Sequence, residues 1–345
     1  MNYFKGIDLS SDTATQPSAE MRAVIANAQV GDEQKREDPT TNELEEYVAD
    51  LLGHDLAMYL PCASMSNEIS LMLHCRPGDE IISSDSAHII AAEVGGPAVH
   101  ARAMCWGVAT PTGIFTAQDI HDHIRMDIPH TPKARLVVIE NTANLTGGIP
   151  WPLETLRDVQ ECARKYQMAL HLDGARLMNA SVASGLSPKE LAQGFDTVTL
   201  CLSKGLGCPM GAVMVGKKEF LEPARRYKHL MGGALRQSGM MAAAGLYALK
   251  NNIERLQDDH DNAKHLAEGL MTVNGVVVDN QPIPSNMVFF HLEEGLSPND
   301  FLPQLEPHGL RFSQIGPNCF RAVMHMDVGR EDVEKAVGIV RSVSC

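Results

Sequence analysis

Short apolar runs recur along this chain, and between them apolar residues return at helical spacing. Leu44, Val48, Leu51 and Leu52 predict a helix over 41–53, which Thr40 or Thr41 can cap. Residues 57–60 are apolar, 61–67 (Pro-Cys-Ala-Ser-Met-Ser-Asn) are mostly small and polar, and 69–73 are mainly apolar again. That order reads as strand, turn and helix, and the N-terminus of such a helix offers free backbone N–H groups to an anion. Further strands are predicted at 80–82, 135–140, 169–173, 197–202 and 211–215, with helical stretches at 86–93 and 153–166. Alternation of this kind predicts an α/β fold, with a mainly parallel central sheet flanked by helices. Residues 1–20 read as irregular and polar. Near the other end, one long polar helical stretch at 241–271 leads into apolar runs at 275–278 and 286–291. We therefore expect a large domain over 1–249 and a smaller C-terminal α+β domain over 250–345.

Composition narrows the function. The chain has 345 residues, 44% of them hydrophobic, enough for a large core. Its net charge of −14 disfavours nucleic acid and an anionic membrane as partners. No run of about 18 apolar residues predicts a membrane helix, and the first residues do not look like a signal peptide. The 8 cysteines include no Cys-x-x-Cys pair, which reads as buried thiols in a reducing cytoplasm. His121, His123 and His130 lack convincing metal-site spacing, so no metal is expected.

The chemistry gathers at strand ends. The run at 169–173 ends in Asp173, followed by Gly174, Ala175 and Arg176; that at 197–202 ends before Ser203, Lys204 and Gly205. Ligands of open α/β sheets bind at the carboxyl ends of the strands. A lysine there is costly to hold as an ammonium, which favours a nucleophile able to form a Schiff base. Such a lysine is useful beside an electron sink like pyridoxal phosphate, whose ring nitrogen an aspartate keeps protonated. Enough chain separates Asp173 from Lys204 for one crossover helix. Taken singly, each motif is more often an ordinary turn; lysine, aspartate and anion-binding turn together are far more specific.

At these residues the chain resembles the threonine aldolases of the aromatic amino acid β-eliminating lyase group, which are fold-type I pyridoxal-phosphate enzymes. The resemblance covers almost the whole chain. It rests on Asp8–Thr13, Glu37–Thr40, Glu93–Gly96, Glu140–Thr142, His171–Arg176, Cys201–Gly207, Gly232–Gly239 and Tyr247–Leu249. It implies Lys204 as the Schiff-base lysine and Asp173 as partner of the ring nitrogen. Arg176 is implied for the ring 3-oxygen and the substrate carboxylate, and His88 for stacking on the ring. Ala63, Ser64 and Met65 would bind the phosphate, and Ser11 and Arg321 the substrate carboxylate, for which a guanidinium fork is well shaped. Arg236 would reach the phosphate of a neighbouring subunit in a homotetramer built from dimers with shared sites. The implied reaction is retro-aldol cleavage of L-threonine, L-allo-threonine or a bulkier β-hydroxy-α-amino acid such as phenylserine. A base takes the β-hydroxyl proton, the Cα–Cβ bond breaks, and glycine and an aldehyde leave.

Several positions depart from that pattern. Ala143 stands where the family usually has a histidine near the substrate hydroxyl, so the base is water helped by His88, or another side chain, or the reaction differs. Ala63-Ser64 replaces Gly-Thr, Ser10 an arginine and Lys35 a tyrosine. His229 replaces a stronger base that joins Arg236 at the substrate and phosphate end of the site. The cofactor residues are kept while those facing the β-substituent change, which predicts altered side-chain preference. β-Elimination or racemisation on the same scaffold is the alternative, with a non-catalytic binding protein as a third reading.

Overall fold

Helices cover both faces of the central sheet, which is why its strands read as unbroken apolar runs rather than alternating ones. The structure, a computed structural model, describes residues 4–294 and 296–343. Across the 7-stranded sheet the order is Leu56–Leu60, Ala212–Gly216, Thr197–Cys201, Ala169–Gly174, Ala134–Glu140, Glu80–Ser84 and Met104–Val108. Ala212–Gly216 runs antiparallel to both neighbours and the remaining pairs are parallel. Residues from the sheet and the helices over it form one core, including Ile139, Leu172, Leu200 and Trp151.

A second, 4-stranded antiparallel sheet comprises Ser313–Gly316, Cys319–Val323, Met287–Leu292 and Val276–Val278. Its core gathers Phe290, Phe312 and Phe320 with residues of the helices Leu256–Leu270 and Arg330–Val343. Leu9 joins this core, and Ile7–Asp8 pairs in parallel with Leu310–Arg311. The start of the chain thus packs against its end, across the 249/250 boundary expected from the sequence.

Local chemistry corrects several expectations. The first predicted helix is Pro39–Leu52; Asp38, not Thr40 or Thr41, caps it by accepting from Thr41 N at 2.8 Å, with proline at the first position. The stretch at 86–93 is helical only over His88–Ala91. The long stretch at 241–271 is two helices, Gly239–Asn251 and Leu256–Leu270. Between them Asn252 turns inward, and its Nδ2 donates to the Leu206 carbonyl at 2.8 Å, fastening the loop after Lys204. Residues 12–14 form a short 3-10 turn and Ala19–Ala26 a helix, in a region read as irregular. Met104–Val108 is an edge strand that the sequence reading missed. Cys62 and Cys105 are exposed rather than buried, and Cys345 lies outside the described residues. Among the described residues, no helix is long and apolar enough to cross a membrane.

Trp151 ties the core to the site. It is fully buried, packs edge-on against Phe115 at 5.1 Å and donates Nε1–H to the Glu140 carbonyl at 3.0 Å. Trp151→Ala is expected to cost about 3–5 kcal/mol of stability, read from the urea midpoint; an unchanged midpoint would contradict this role.

Candidate functional site

Three parallel strands stop at one edge and bring their last residues together. Ala134–Glu140 ends in Glu140, Ala169–Gly174 carries Asp173, and the loop after Thr197–Cys201 carries Lys204. Asp173 is buried: its Oδ1 accepts from Ala175 N at 3.0 Å and its Oδ2 from Asn67 Nδ2 at 2.8 Å. Asn67 lies on the inward face of the helix Ala63–His74. Its amide also donates to Glu93 Oε1 at 2.9 Å, while its Oδ1 accepts from Thr199 Oγ1 at 2.9 Å and faces His171 Nε2 at 3.1 Å. Two carboxylates on one side fix which way the amide points. Burial lowers the His171 pKa to about 4, leaving a neutral ring beneath Asp173.

His88 opens its short helix above this cluster. Its Nδ1 lies 2.7 Å from Glu93 Oε1, and its backbone N–H donates to Glu140 Oε2 at 2.9 Å. The Glu93 hydrogen bond, acting against burial, raises the His88 pKa. Burial, with Asp173 nearby, raises that of Glu140.

The start of the chain reaches the same edge. Val323 N donates to the Leu9 carbonyl at 2.9 Å, laying residues 7–12 between the two sheets. Asp12 then meets Arg176 in a bidentate pair, Nε to Oδ2 at 2.8 Å and Nη2 to Oδ1 at 2.7 Å, with both side chains buried. Burial pushes the Asp12 pKa up, but Arg176 and, further off, Lys204 and Arg321 outweigh it and hold the carboxyl below its usual range. Arg321, on Cys319–Val323, gives Nη1 to Asn144 Oδ1 at 2.6 Å and Nη2 to the Ser10 carbonyl at 3.2 Å. Its Nε is buried with no partner, and burial, aided by Arg176, lowers its pKa to about 10. Ser11 accepts from Thr13 N at 3.2 Å and lies beside Asp12. Among the described residues, Lys204 Nζ has no hydrogen-bond or ion-pair partner, and its carbonyl accepts from Gly207 N.

Ala63, Ser64 and Met65 form the first turn of a 12-residue helix whose N-cap, Cys62, makes no side-chain cap bond. The leading N–H groups are therefore available to an anion. His229 and Arg236 do not join the cluster within this chain. Both are exposed, and Arg236 pairs with Asp32 at 3.1 Å. The segment between them does pass the turn at 63–65, with Gly233 packed on the Met65 sulfur. Lys35 is exposed, and Ser10 turns its hydroxyl back to Asp8. Ala143 is 2% exposed and packs against Gly113, so the turn at 110–114 occupies the space a larger side chain would need. His121 pairs with the Tyr166 hydroxyl, whereas the His123 side chain is buried against Glu80 and Trp106.

Asp12, Asn67, Glu93, Glu140 and Asn144 complete the cluster, and none of them was assigned a role from the sequence. Asp12, Glu93 and Glu140 lie in motifs that carried the resemblance, but the partner of Asp12 is 164 residues away, and Glu93 and Glu140 also bond to residues of other elements. Among the described residues, His88, Glu93 and Asp173 offer ligand atoms within 4.8 Å of one another. Asn67 and the His88–Glu93 hydrogen bond already account for that closeness without an ion.

The fold and cluster together define an α/β enzyme that places an amine, an aspartate and two guanidinium groups at the open edge of one sheet. The beta-eliminating lyase family matches residues 8–293, and the chain belongs to that family. The low specificity L-threonine aldolase of Escherichia coli O157:H7 is 40% identical over 95% of this chain and 96% of its own length. The threonine aldolase structure of Leishmania major shares the fold with a TM-score of 0.84, at 19% identity, over 98% of this chain and all of that one. A structure of SPT with PLP shares it at 0.75, 17% identity, over 98% of this chain and 87% of that one.

The Asp12–Arg176 pair is expected to support stability as well as the site. Asp12→Ala strands a buried guanidinium and is expected to cost about 3–5 kcal/mol in urea unfolding. Because the folded pKa is depressed, the Asp12 contribution is full above about pH 4 and falls as pH drops through the folded value. Equal urea midpoints for wild type and variant at neutral pH would contradict this.

Proposed function

We propose that the protein is a pyridoxal-phosphate-dependent aldolase that cleaves L-threonine, L-allo-threonine or related β-hydroxy-α-amino acids to glycine and an aldehyde. The observation that carries this reading is the meeting of Lys204, Asp173, Arg176 and Arg321 at one sheet edge in a chain 40% identical to a low specificity L-threonine aldolase. The residues fit the cofactor. The uncapped turn at Ala63, Ser64 and Met65 suits a phosphate, and the Asp173 carboxylate keeps lone pairs for a ring N–H. His88 has a half-open face for a flat ring, and Lys204 supplies an amine. Bound pyridoxal phosphate supplies the electron sink for the charge left on Cα when the Cα–Cβ bond breaks.

The chain's own groups do the rest. Lys204 would hold the cofactor through its side-chain amine. Arg321, through its unpartnered Nε, anchors the substrate carboxylate together with Ser11 and Arg176, fixing the orientation of the Cα–Cβ bond. Asp12 holds the Arg176 guanidinium in position for this. His88 exchanges a proton with the β-hydroxyl, directly or through a water, because Ala143 has no group to do so. Ala143 leaves the β-substituent side without a basic side chain at this position. His229 and Arg236 act across a subunit interface on a neighbouring site in a homotetramer; their exposure beside the phosphate turn supports this. The cysteine pattern points to the cytoplasm.

Cofactor-loaded wild type is expected to release glycine from L-threonine, L-allo-threonine and both L-phenylserine diastereomers, and Lys204→Ala to fall to the no-enzyme level. Arg321→Lys should raise KM about tenfold or more, since a point charge replaces the fork. Glycine release that survives Lys204→Ala would overturn the proposal.

A further inference from the structure

Behind His88 lies a second buried acid that the reaction as described does not use. Glu68, on the helix Ala63–His74, is 4% exposed, and its carboxyl lies against that of Glu93, close enough for a hydrogen bond. Among the described residues, neither Glu68 oxygen has a hydrogen-bond partner, nor does Glu93 Oε2. Glu93 Oε1 is taken already, by His88 Nδ1 at 2.7 Å and Asn67 Nδ2 at 2.9 Å. Two carboxylates cannot bond each other, so these neighbours are satisfied only when one proton lies between them. The backbone holds them there. Val94 adopts a left-handed φ of 55° with its side chain exposed, and Gly96 packs directly on the Glu68 carboxyl, where any Cβ would collide with it.

Glu93 makes bonds to His88 and Asn67, whereas Glu68, among the described residues, makes none to a donor. Burial and then the Glu93 charge push the Glu68 pKa up, which places the shared proton on Glu68. Few other ionisable groups face this row. Glu140 and Asp173 face His88, and the Cys105 thiol on Met104–Val108 faces Glu68. The turn Pro97–Ala101, packed on the same helix, carries His100, which is exposed.

We propose that Glu68 is a positioning residue for His88: its carboxyl keeps a proton and donates it to Glu93 Oε2, and Glu93 in turn holds His88 Nδ1. This rests on the reading of His88 as the group that exchanges a proton with the substrate hydroxyl. The hydrogen bond draws charge from the far oxygen of Glu93 and so limits how strongly Glu93 favours a protonated ring. The neutral form of His88, with Nε2 free to accept a proton, is then depleted less than an undiluted Glu93 charge would leave it. In a site with alanine at 143, Glu68 and Glu93 supply the tuning behind the remaining base.

The test uses cofactor-loaded wild type, Glu68→Gln and Glu68→Leu. The carbonyl stretch of a protonated carboxyl is expected in the wild-type minus Glu68→Gln infrared difference spectrum. Glu68→Leu leaves the Glu93 charge undiluted, so the His88 pKa rises and the acidic limb of kcat/KM moves up by about one pH unit. Glu68→Gln still donates an N–H to Glu93 and should stay near the wild-type limb. Absence of the infrared band, or coincident limbs in wild type and Glu68→Leu, would overturn the proposal. NMR titration of the His88 ring reads the same shift without turnover. If wild type released no glycine, the aldolase reading would fall, and the band and the titration would still decide the role of Glu68.

Discussion

The site depends on one side-chain amide. Asn67 gives both N–H groups to carboxylates, Asp173 on one side and Glu93 on the other, from the first turns of a helix whose own start is left uncapped. Bringing two carboxylates this close in a buried place is costly unless donors lie between them. The amide meets that demand without adding charge. It also joins the strand-end aspartate, the histidine held by Glu93 and the anion-binding turn into one rigid unit. Thr199 and the neutral ring of His171 close the network from below, so the amide has no other orientation to adopt.

Around this unit the charges are arranged in compensating pairs. Asp12 answers Arg176, and Glu93 answers His88. A proton answers the crowding between Glu93 and Glu68. Among the described residues, the Lys204 amine and the buried Nε of Arg321 keep capacity to spare. An amino acid with a carbonyl cofactor presents the complementary functions, a carboxylate for the guanidinium and a Schiff-base carbon for the amine. The segment 7–12 makes this possible by running between the two sheets, so that Asp12 from the start of the chain and Arg321 from its end meet at one edge.

Much of this was legible in the sequence. The parallel strands declared themselves as unbroken apolar runs, and Asp173 and Lys204 as polar residues where those runs stop. What escaped depends on distance along the chain. Asn67 and Asp173 are 106 residues apart and Asp12 and Arg176 164 apart, and no local pattern announces such pairs. The edge strand Met104–Val108 (Met-Cys-Trp-Gly-Val) escaped because it is short and a glycine interrupts its apolar run. The long C-terminal helix was read as continuous because Asn252 is an ordinary helical residue until its amide finds the Leu206 carbonyl. His229 and Arg236 stand apart from the cluster of this chain, exposed, with Arg236 paired to Asp32.

The most direct test of the central claim is the identity of the products from L-threonine. Glycine, acetaldehyde, ammonia and 2-oxo acid should be quantified together, alongside the configuration of the recovered substrate. The account predicts glycine and acetaldehyde in equal amounts, with little ammonia. Ammonia with a 2-oxo acid in place of glycine, or inversion at Cα without cleavage, would contradict it and assign the same residues to elimination or racemisation.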